Sequence, residues 1–264
     1  MLDQITPLIL TYNEAPNIAR SLAGLTWAKE IVVVDSFSND ETVEIARSYP
    51  QVRIIQRAFD SHRNQWDFGL KETGITTPWV LALDADYVVT SDLVAELERL
   101  KPAPEQVGYR ANFIYCINGK KLRSGIYPPV TVLYRREAAS YIQDGHTQRV
   151  ALEGTIEDLK APLLHDDRKS LRRWLNSQSR YTELEAQKLR AADSAELSRA
   201  DQMRRWRVVM PPAMLVYCLI IRGGVFDGWA GFYYAFQRAV AELMLAVNLS
   251  RRFTRINPDV YSRY

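Results

Sequence analysis

The chain has 264 residues, enough for one sizeable α/β domain with an appendage; 47% are hydrophobic and 25% charged, which excludes global disorder. A net charge of +3 gives no ground for a nucleic-acid partner. Two cysteines far apart, Cys116 and Cys218, exclude a disulfide framework and a cysteine metal site, and Met1–Gln4 has neither the basic nor the apolar stretch of a signal peptide, so the expected compartment is the reducing cytoplasm.

Residues 7–11 read as a strand and 16–25 as a helix. Ile31-Val32-Val33-Val34-Asp35 is an unbroken apolar run ending in a carboxylate, the pattern of a parallel strand covered on both faces. Ser38, with Glu41 three residues on, fits a capping box for a helix reaching about residue 49. Residues 52–56 form a third strand, 62–72 a helix, and 79–83 a fourth strand that runs into Asp84-Ala85-Asp86. Ser91 caps a helix over 92–100, which Pro102 stops. This alternation predicts a parallel sheet with right-handed crossovers and a ligand crevice at the carboxyl ends of its strands, where Asp35 and Asp84 both fall.

Beyond residue 108 the pattern is less regular. Strands are expected over 130–135 and 148–152, with turns at Gly145, Gly154 and Pro162. A long polar helix over 170–192 has Leu171, Trp174, Leu175, Tyr181, Leu184 and Leu189 as its expected buried stripe. Arg135, Arg136, Arg168, Lys169, Arg172 and Arg173 gather in this part, and most of them read as a solvated face.

The tail differs. From Arg199 onward there are ten Arg, no Lys and four acids, whereas the rest carries 24 basic and 27 acidic groups. Residues 208–221 and 226–249 are apolar runs. At about 1.5 Å per residue the first spans roughly 21 Å, short of the roughly 30 Å of a bilayer core. Asp227, Gln237, Arg238 and Glu242 interrupt the second. The expectation is a hairpin lying in the interface of an anionic membrane, flanked by Arg204, Arg205, Arg207, Arg251, Arg252 and Arg255: peripheral at the inner face and not spanning. The alternative is a pair of helices packed on the catalytic domain or on a second subunit, which makes an oligomer through these helices the competing reading.

The chemistry centres on Asp84-Ala85-Asp86. Two carboxylates two residues apart at the end of a buried strand suit a hard divalent cation, which Mg²⁺ sites typically hold with one or two carboxylates plus substrate phosphates. G-x-G-x-x-G, Walker A, H-E-x-x-H and G-x-S-x-G motifs are all absent, so a nucleotide would bind through the sheet edge and a metal.

Leu10-Thr11-Tyr12-Asn13-Glu14, then Ile31–Asp35 with Ser36, then Leu83-Asp84-Ala85-Asp86, in that order and spacing, resemble glycosyltransferase family 2. Gly145-His146-Thr147-Gln148-Arg149-Val150, Leu164-His165-Asp166-Asp167 and Gly224-Val225-Phe226-Asp227-Gly228 resemble the subgroup that extends lipopolysaccharide core and related lipid-linked glycans. The resemblance implies an A-type, Rossmann-like α/β fold with a mostly parallel sheet. Residues 1–100 become the nucleotide-sugar half, 101–200 the acceptor half with its closing helix, and 201–264 the basic helical tail. It also implies inverting transfer from a nucleotide-diphosphate sugar to a lipid-linked glycan, with Mg²⁺ or Mn²⁺. Thr11, Tyr12, Asn13 and Glu14 then shape the nucleotide pocket, Asp35 meets base or ribose, and Arg63 contacts base or diphosphate. Asp84, Ala85 and Asp86 serve ribose and metal, and His165 is a further metal ligand. Asp144 is the expected general base, with His146 and Glu153 as alternatives, because this chain has His146-Thr147 where related sequences have His-Glu. A polyprenyl-phosphate acceptor, nucleotidyl transfer and an inactive membrane scaffold of the same fold are the rival readings.

Overall fold

The structure, a computed structural model, describes residues 1–144, 147–193 and 197–250; the side chains at 143–144, 147–148 and 199–200 also lie outside the described set. The first part alternates as the sequence predicts: β1 (Ile5–Thr11), α1 (Ile18–Ala23), β2 (Ile31–Asp35), α2 (Thr42–Arg47), β3 (Val52–Gln56), α3 (His62–Lys71), β4 (Trp79–Asp84), β5 (Tyr87–Val88) and α4 (Ser91–Arg99). Then come β6 (Gln106–Ala111), β7 (Phe113–Ile117), β8 (Lys120–Lys121), β9 (Val130–Arg135), β10 (Ser140–Asp144), β11 (Thr147–Ala151), β12 (Thr155–Asp158) and β13 (Leu163–His165). The chain ends in helices: α5 (Leu171–Ala191), α6 (Arg199–Arg204), α7 (Met210–Val216) and α8 (Trp229–Ser250).

The main sheet has the order β3-β2-β1-β4-β9-β6-β12. Strands β1 to β4 are mutually parallel, and β9 enters antiparallel between β4 and β6. Alternate residues of each strand serve opposite faces. Ile31 and Val33 pack with α1 and α4, while Val32 and Val34 pack with Trp66 and Leu70 of α3. That two-sided cover is why β2 needs a continuous apolar run. The chain moves outward from β1 to β3 and then returns to place β4 on the other side of β1, so the strand order reverses between β1 and β4. Open α/β sheets bind their ligands at the carboxyl ends of the strands beside such a reversal.

A second sheet, β5-β13-β7-β8, carries the site's other half. Strand β13 sets His165 opposite Tyr87 on one side and Tyr115 on the other. The β10–β11 hairpin leans on α3, with Tyr141 stacked on Trp66 at 5.5 Å.

Three local expectations are corrected. Ser38 does not cap α2: its backbone N–H and hydroxyl both donate to the buried Asp35 carboxylate, and its oxygen accepts from Asn13 N–H in place of a helix N–H. Helix α4 is capped by Thr90, one residue before Ser91, through a bond from Leu93 N–H. On α5, Leu171, Leu175 and Leu184 are exposed, and the buried row is Thr182, Glu185, Ala186 and Leu189. That face is chosen by polar partners: Asn248 of α8 donates to the Thr182 hydroxyl at 3.0 Å, and Arg204 pairs with Glu185.

Helix α7 passes through a π-helical turn (Tyr217–Ile221) and a 3-10 turn (Gly224–Asp227) into α8. Gly224 and Gly231 touch backbone to backbone; a Cβ on Gly224 would sit 2.7 Å from the Cys218 carbonyl oxygen. The knot presents Asp227 inward. Its carboxylate accepts from Arg123 N–H and Ser124 N–H, each at 3.0 Å, and from the Ser124 hydroxyl at 2.7 Å. Arg222 donates to the Gly125 carbonyl and Ile126 N–H donates to the Tyr234 hydroxyl. The C-terminal helices therefore hold the 123–126 loop. No helix among the described residues is long and apolar enough to cross a membrane; Arg251, Arg252 and Arg255 lie outside the described residues.

Candidate active site

Strand β4 delivers Asp84 to the crevice edge opposite Leu10, and Asp86 follows one turn later. The β13 segment closes over them: Asp166 N–H donates to the Asp86 carbonyl at 3.0 Å, and His165 Nε2 lies 3.3 Å from Asp86 Oδ2. The His165 ring is wedged among tyrosines, 4.5 Å from Tyr127, 4.7 Å from Tyr115 and 5.5 Å from Tyr87. Tyr87 and Tyr127 share a hydroxyl–hydroxyl bond of 2.6 Å, and Tyr87 also hydrogen-bonds Asp84. Ala85 is buried between the two acids.

The two carboxylates are pushed apart electrostatically. Burial, then the neighbouring Asp86 charge, raises Asp84 to about 6. Burial also works against the Asp86 charge, but His165 and Lys169 outweigh it and hold Asp86 down at about 2. Burial opposes a charge on His165; the Asp86 carboxylate beside it prevails and raises the ring above its ordinary value.

A polar strap joins this centre to the end of β1. Lys169 Nζ lies 2.6 Å from Glu14 Oε1 and 3.8 Å from Asp167 Oδ1. Asn17 Nδ2 donates to both Glu14 and Asp167 at 2.9 Å, and its oxygen accepts from Arg168 N–H. Arg20 donates to the Asp166 carbonyl at 2.7 Å. Arg173, in the first turn of α5, donates to the carbonyls of Tyr12 and Asn13. Burial lifts Glu14 to about 7, while the surrounding Asp86, Glu14 and Asp167 carboxylates hold Lys169 firmly protonated against its own burial. Lys169, grouped with the solvated basic residues on sequence grounds, is thus inside the site. The signal was its place three residues after Asp166, on a segment that must return to the sheet.

The remaining sequence-predicted residues fall as follows. Thr11 is buried and gives its hydroxyl proton to Asp35 at 2.9 Å. Asp35 is fully buried, and Thr11, Ser38 and Gln56 take up its oxygens. Asn13 adopts a left-handed backbone, φ 56°, and receives Asn39 N–H on its side chain at 2.8 Å. Tyr12 is exposed, as is Phe37, a second left-handed residue with φ 58° on the adjoining loop. Arg63 is more than half exposed on α3, 4.0 Å from Asp67. Glu153 is exposed at the turn after β11. Asp144 ends β10, but its side chain, like all of His146, lies outside the described residues.

Asp86 Oδ1 and His165 Nδ1 are buried with no hydrogen-bond partner. A carboxylate oxygen with open lone pairs, next to a second acid and an imidazole, fits a hard divalent cation. Of the three expected ligands only Asp86 and His165 meet, and among the described residues no group of three or more His, Cys, Asp or Glu side chains is arranged to hold a metal ion.

A mostly parallel α/β sheet with an acidic crevice at its reversal point defines the class, and comparison with known proteins agrees. Residues 8–141, just over half of the chain, match the description "Glycosyl transferase family 2". The chain belongs to glycosyl transferase family 2. It is 31% identical over 144 residues to an uncharacterized glycosyltransferase of Rickettsia bellii, across 52% of this chain and 48% of that protein; the match thus spans about half of that relative's length. It is 24% identical over 273 residues to the lipopolysaccharide core biosynthesis glycosyltransferase LpsC of Rhizobium meliloti, across 97% of this chain and 96% of LpsC. Its fold is similar to that of the mannosyltransferase PcManGT from Pyrobaculum calidifontis, solved with GDP-Man and Mn²⁺: TM-score 0.53 at 15% identity, covering 94% of this chain and 89% of that one.

Proposed function

We propose that this protein is an inverting glycosyltransferase that moves a sugar from a nucleoside-diphosphate donor to a hydroxyl of a glycan carried on a lipid. The observation that carries the reading is the half-buried Asp84/Asp86 pair at the reversal point of the sheet, with Asp86 Oδ1 sealed from solvent and left without a partner. Family membership supports the reaction class, and the end-to-end likeness to LpsC supports a glycan acceptor of the lipopolysaccharide-core type.

In this reading Asp86 and His165 would hold Mg²⁺ or Mn²⁺ together with the donor diphosphate, and Asp84 would serve ribose or metal. When bound, the cation supplies charge for the leaving diphosphate. The chain's own residues do the rest. Thr11, Asn13 and Asp35 brace the two loops at the ends of β1 and β2, and the exposed rings of Tyr12 and Phe37 on those loops offer faces to a nucleobase. Lys169, protonated and beside Glu14, stands ready to meet the diphosphate. Arg63 remains a candidate contact for base or diphosphate. Asp144 takes the acceptor proton, with His146 or Glu153 as substitutes; such a base contributes roughly 10²–10⁴-fold. The membrane-facing reading also belongs here. The basic tail, with Phe226 81% and Trp229 57% exposed, docks on an anionic inner-membrane surface and brings the crevice to a lipid-linked acceptor.

The test is a panel of nucleoside-diphosphate sugars scored by calorimetry with and without Mn²⁺. One donor should bind in a Mn²⁺-dependent way and be turned over when glycan acceptor is added. Binding of no donor at all would overturn the reading, and cation-independent binding would remove the metal from it.

A further inference from the structure

Tyr234, Arg238 and Glu242 occupy successive turns of α8 and therefore one face of it. Tyr234 and Glu242 are buried, which turns the half-buried Arg238 inward between them. The Arg238 Nε is sealed from solvent with no hydrogen-bond partner, and no ion pair holds its guanidinium among the described residues. A carboxylate was within reach: Glu242 lies one turn on. Yet Glu242 pairs with Arg204, which also takes Glu185 and Asp201. Three acids share one arginine while Arg238 has none.

Arg238 instead shares its face of α8 with Tyr234, one turn back. Its charge acts on Tyr115, on Tyr234 and on the Cys218 thiol. The Tyr115 ring lies 4.8 Å from Tyr234 and 4.7 Å from His165, and Tyr115 also feels Asp86 and Asp167. Arg238 thus lies one turn of α8 beyond Tyr234, whose ring meets Tyr115, which in turn meets His165 of the Asp86–His165 centre. Tyr234 accepts Ile126 N–H at 3.1 Å, which leaves its own hydroxyl proton to donate, and the Tyr115 hydroxyl is tied to no acceptor among the described residues. A partly desolvated guanidinium without a counter-charge is costly. Its planar fork is shaped for a phosphate or carboxylate, and two phenols beside it add neutral donors.

We propose that Arg238, with Tyr115 and Tyr234, forms a subsite for an anionic group, phosphate or carboxylate, borne by the acceptor. The inference rests on the glycosyl-transfer reading for the word acceptor. The donor's own diphosphate belongs at the β1/β4 edge, and Tyr115 touches both His165 near that edge and Tyr234, one turn before Arg238 on α8. The C-terminal helices then supply acceptor recognition as well as support for the 123–126 loop.

The test is calorimetric titration of the full-length protein with inorganic phosphate and, separately, with glucuronate, and of UDP and GDP with Mn²⁺ as the donor-side control. Wild-type protein should bind one of the two anions, and which one binds names the acceptor group. Arg238→Met should weaken that anion by about tenfold or more, the scale of a lost charge-assisted hydrogen bond. Arg238→Lys should retain part of the affinity and should fold if the methionine variant does not. Nucleoside-diphosphate affinity should stay unchanged in both. The proposal is overturned if wild-type protein binds neither anion, if both variants bind as wild type does, or if nucleoside-diphosphate affinity falls in step, which assigns Arg238 to the donor. Loss of nucleotide binding in wild type would defeat the glycosyl-transfer reading alone, since the anion titrations still report on the subsite.

Discussion

Asp84 and Asp86 are two residues apart, yet one is held near 6 and the other near 2. The cause is their company. Asp84 meets burial and a like charge, whereas Asp86 meets His165 and Lys169. Without a cation, ionising Asp84 places a second buried charge beside Asp86, so the cost to the fold grows as pH rises through about 6. A carboxyl whose folded value lies above its unfolded one favours the folded state most at low pH, and that advantage is lost as pH rises through the folded value. A divalent cation reverses the balance, because it needs Asp84 ionised and His165 neutral. Mn²⁺ should therefore raise the melting temperature more above pH 6 than below it, and Mn²⁺ affinity should climb with pH across that value. A flat Mn²⁺ affinity across the same range would remove Asp84 from the cation's surroundings. Asp86→Ala should weaken Mn²⁺ in the presence of nucleoside diphosphate by at least the roughly 10–100-fold that loss of an outer-shell partner typically costs. Unchanged binding in that variant would break the link between this carboxylate and the metal.

At the scale of elements, the Gly224–Asp227 turn is the joint between the C-terminal helices and the catalytic sheet. Asp227 accepts from two backbone N–H groups and one hydroxyl across more than a hundred residues of sequence. The next residue along that loop but two, Tyr127, packs on His165 and bonds Tyr87. A fault at Asp227 should therefore reach the site. Asp227→Ala leaves buried donors unsatisfied, at roughly 1–3 kcal/mol. Burial works against the Asp227 charge, but the Ser124 and Arg123 donors prevail and hold its carboxyl below the ordinary value. Its contribution is present above the unfolded value and is lost as pH falls through the folded one. The melting-temperature gap between wild type and Asp227→Ala should thus be wide near neutral pH and close on acidification. A gap that does not change with pH would mean that the ionised carboxylate is not what joins the two parts.

For the whole molecule, the apolar face left open by the C-terminal helices is the feature that most needs a partner. Val208, Ile220, Ile221, Phe226, Trp229 and Phe236 are each at least half exposed, which soluble surfaces rarely gather in one region. In the proposed membrane-facing reading, the arginine excess of the sequence from residue 199 on, ten Arg against four acids, favours an anionic lipid surface over a neutral one. Full-length protein should float with anionic vesicles and less so as salt shortens the screening length to about 10 Å at 0.1 M. A Phe226→Ser/Trp229→Ser double variant should stay behind, with nucleoside-diphosphate binding intact. A stable dimer that ignores vesicles would show instead that a second copy covers this face.

What the sequence determined by itself was the strand–helix alternation of the first hundred residues. Strands β2 and β3 fall where the apolar runs do, and Asp35 and Asp84 end their strands as expected, because a parallel strand covered on both faces writes itself as a local pattern. The carboxylate pair was legible for the same reason, as a strand end is a local event. Tertiary structure alone decided the site's far side. Lys169, Asn17 and the tyrosines around His165 lie on segments up to about 150 residues apart, brought together by β13 pairing between β5 and β7. The same holds for α5, whose buried face keeps Leu189 of its four leucines and otherwise turns Thr182 and Glu185 to polar partners on α8 and α6. Periodicity reports which face of a helix is apolar; a buried Thr or Glu is stabilised only by a donor from elsewhere in the chain, and no local pattern records where that donor comes from.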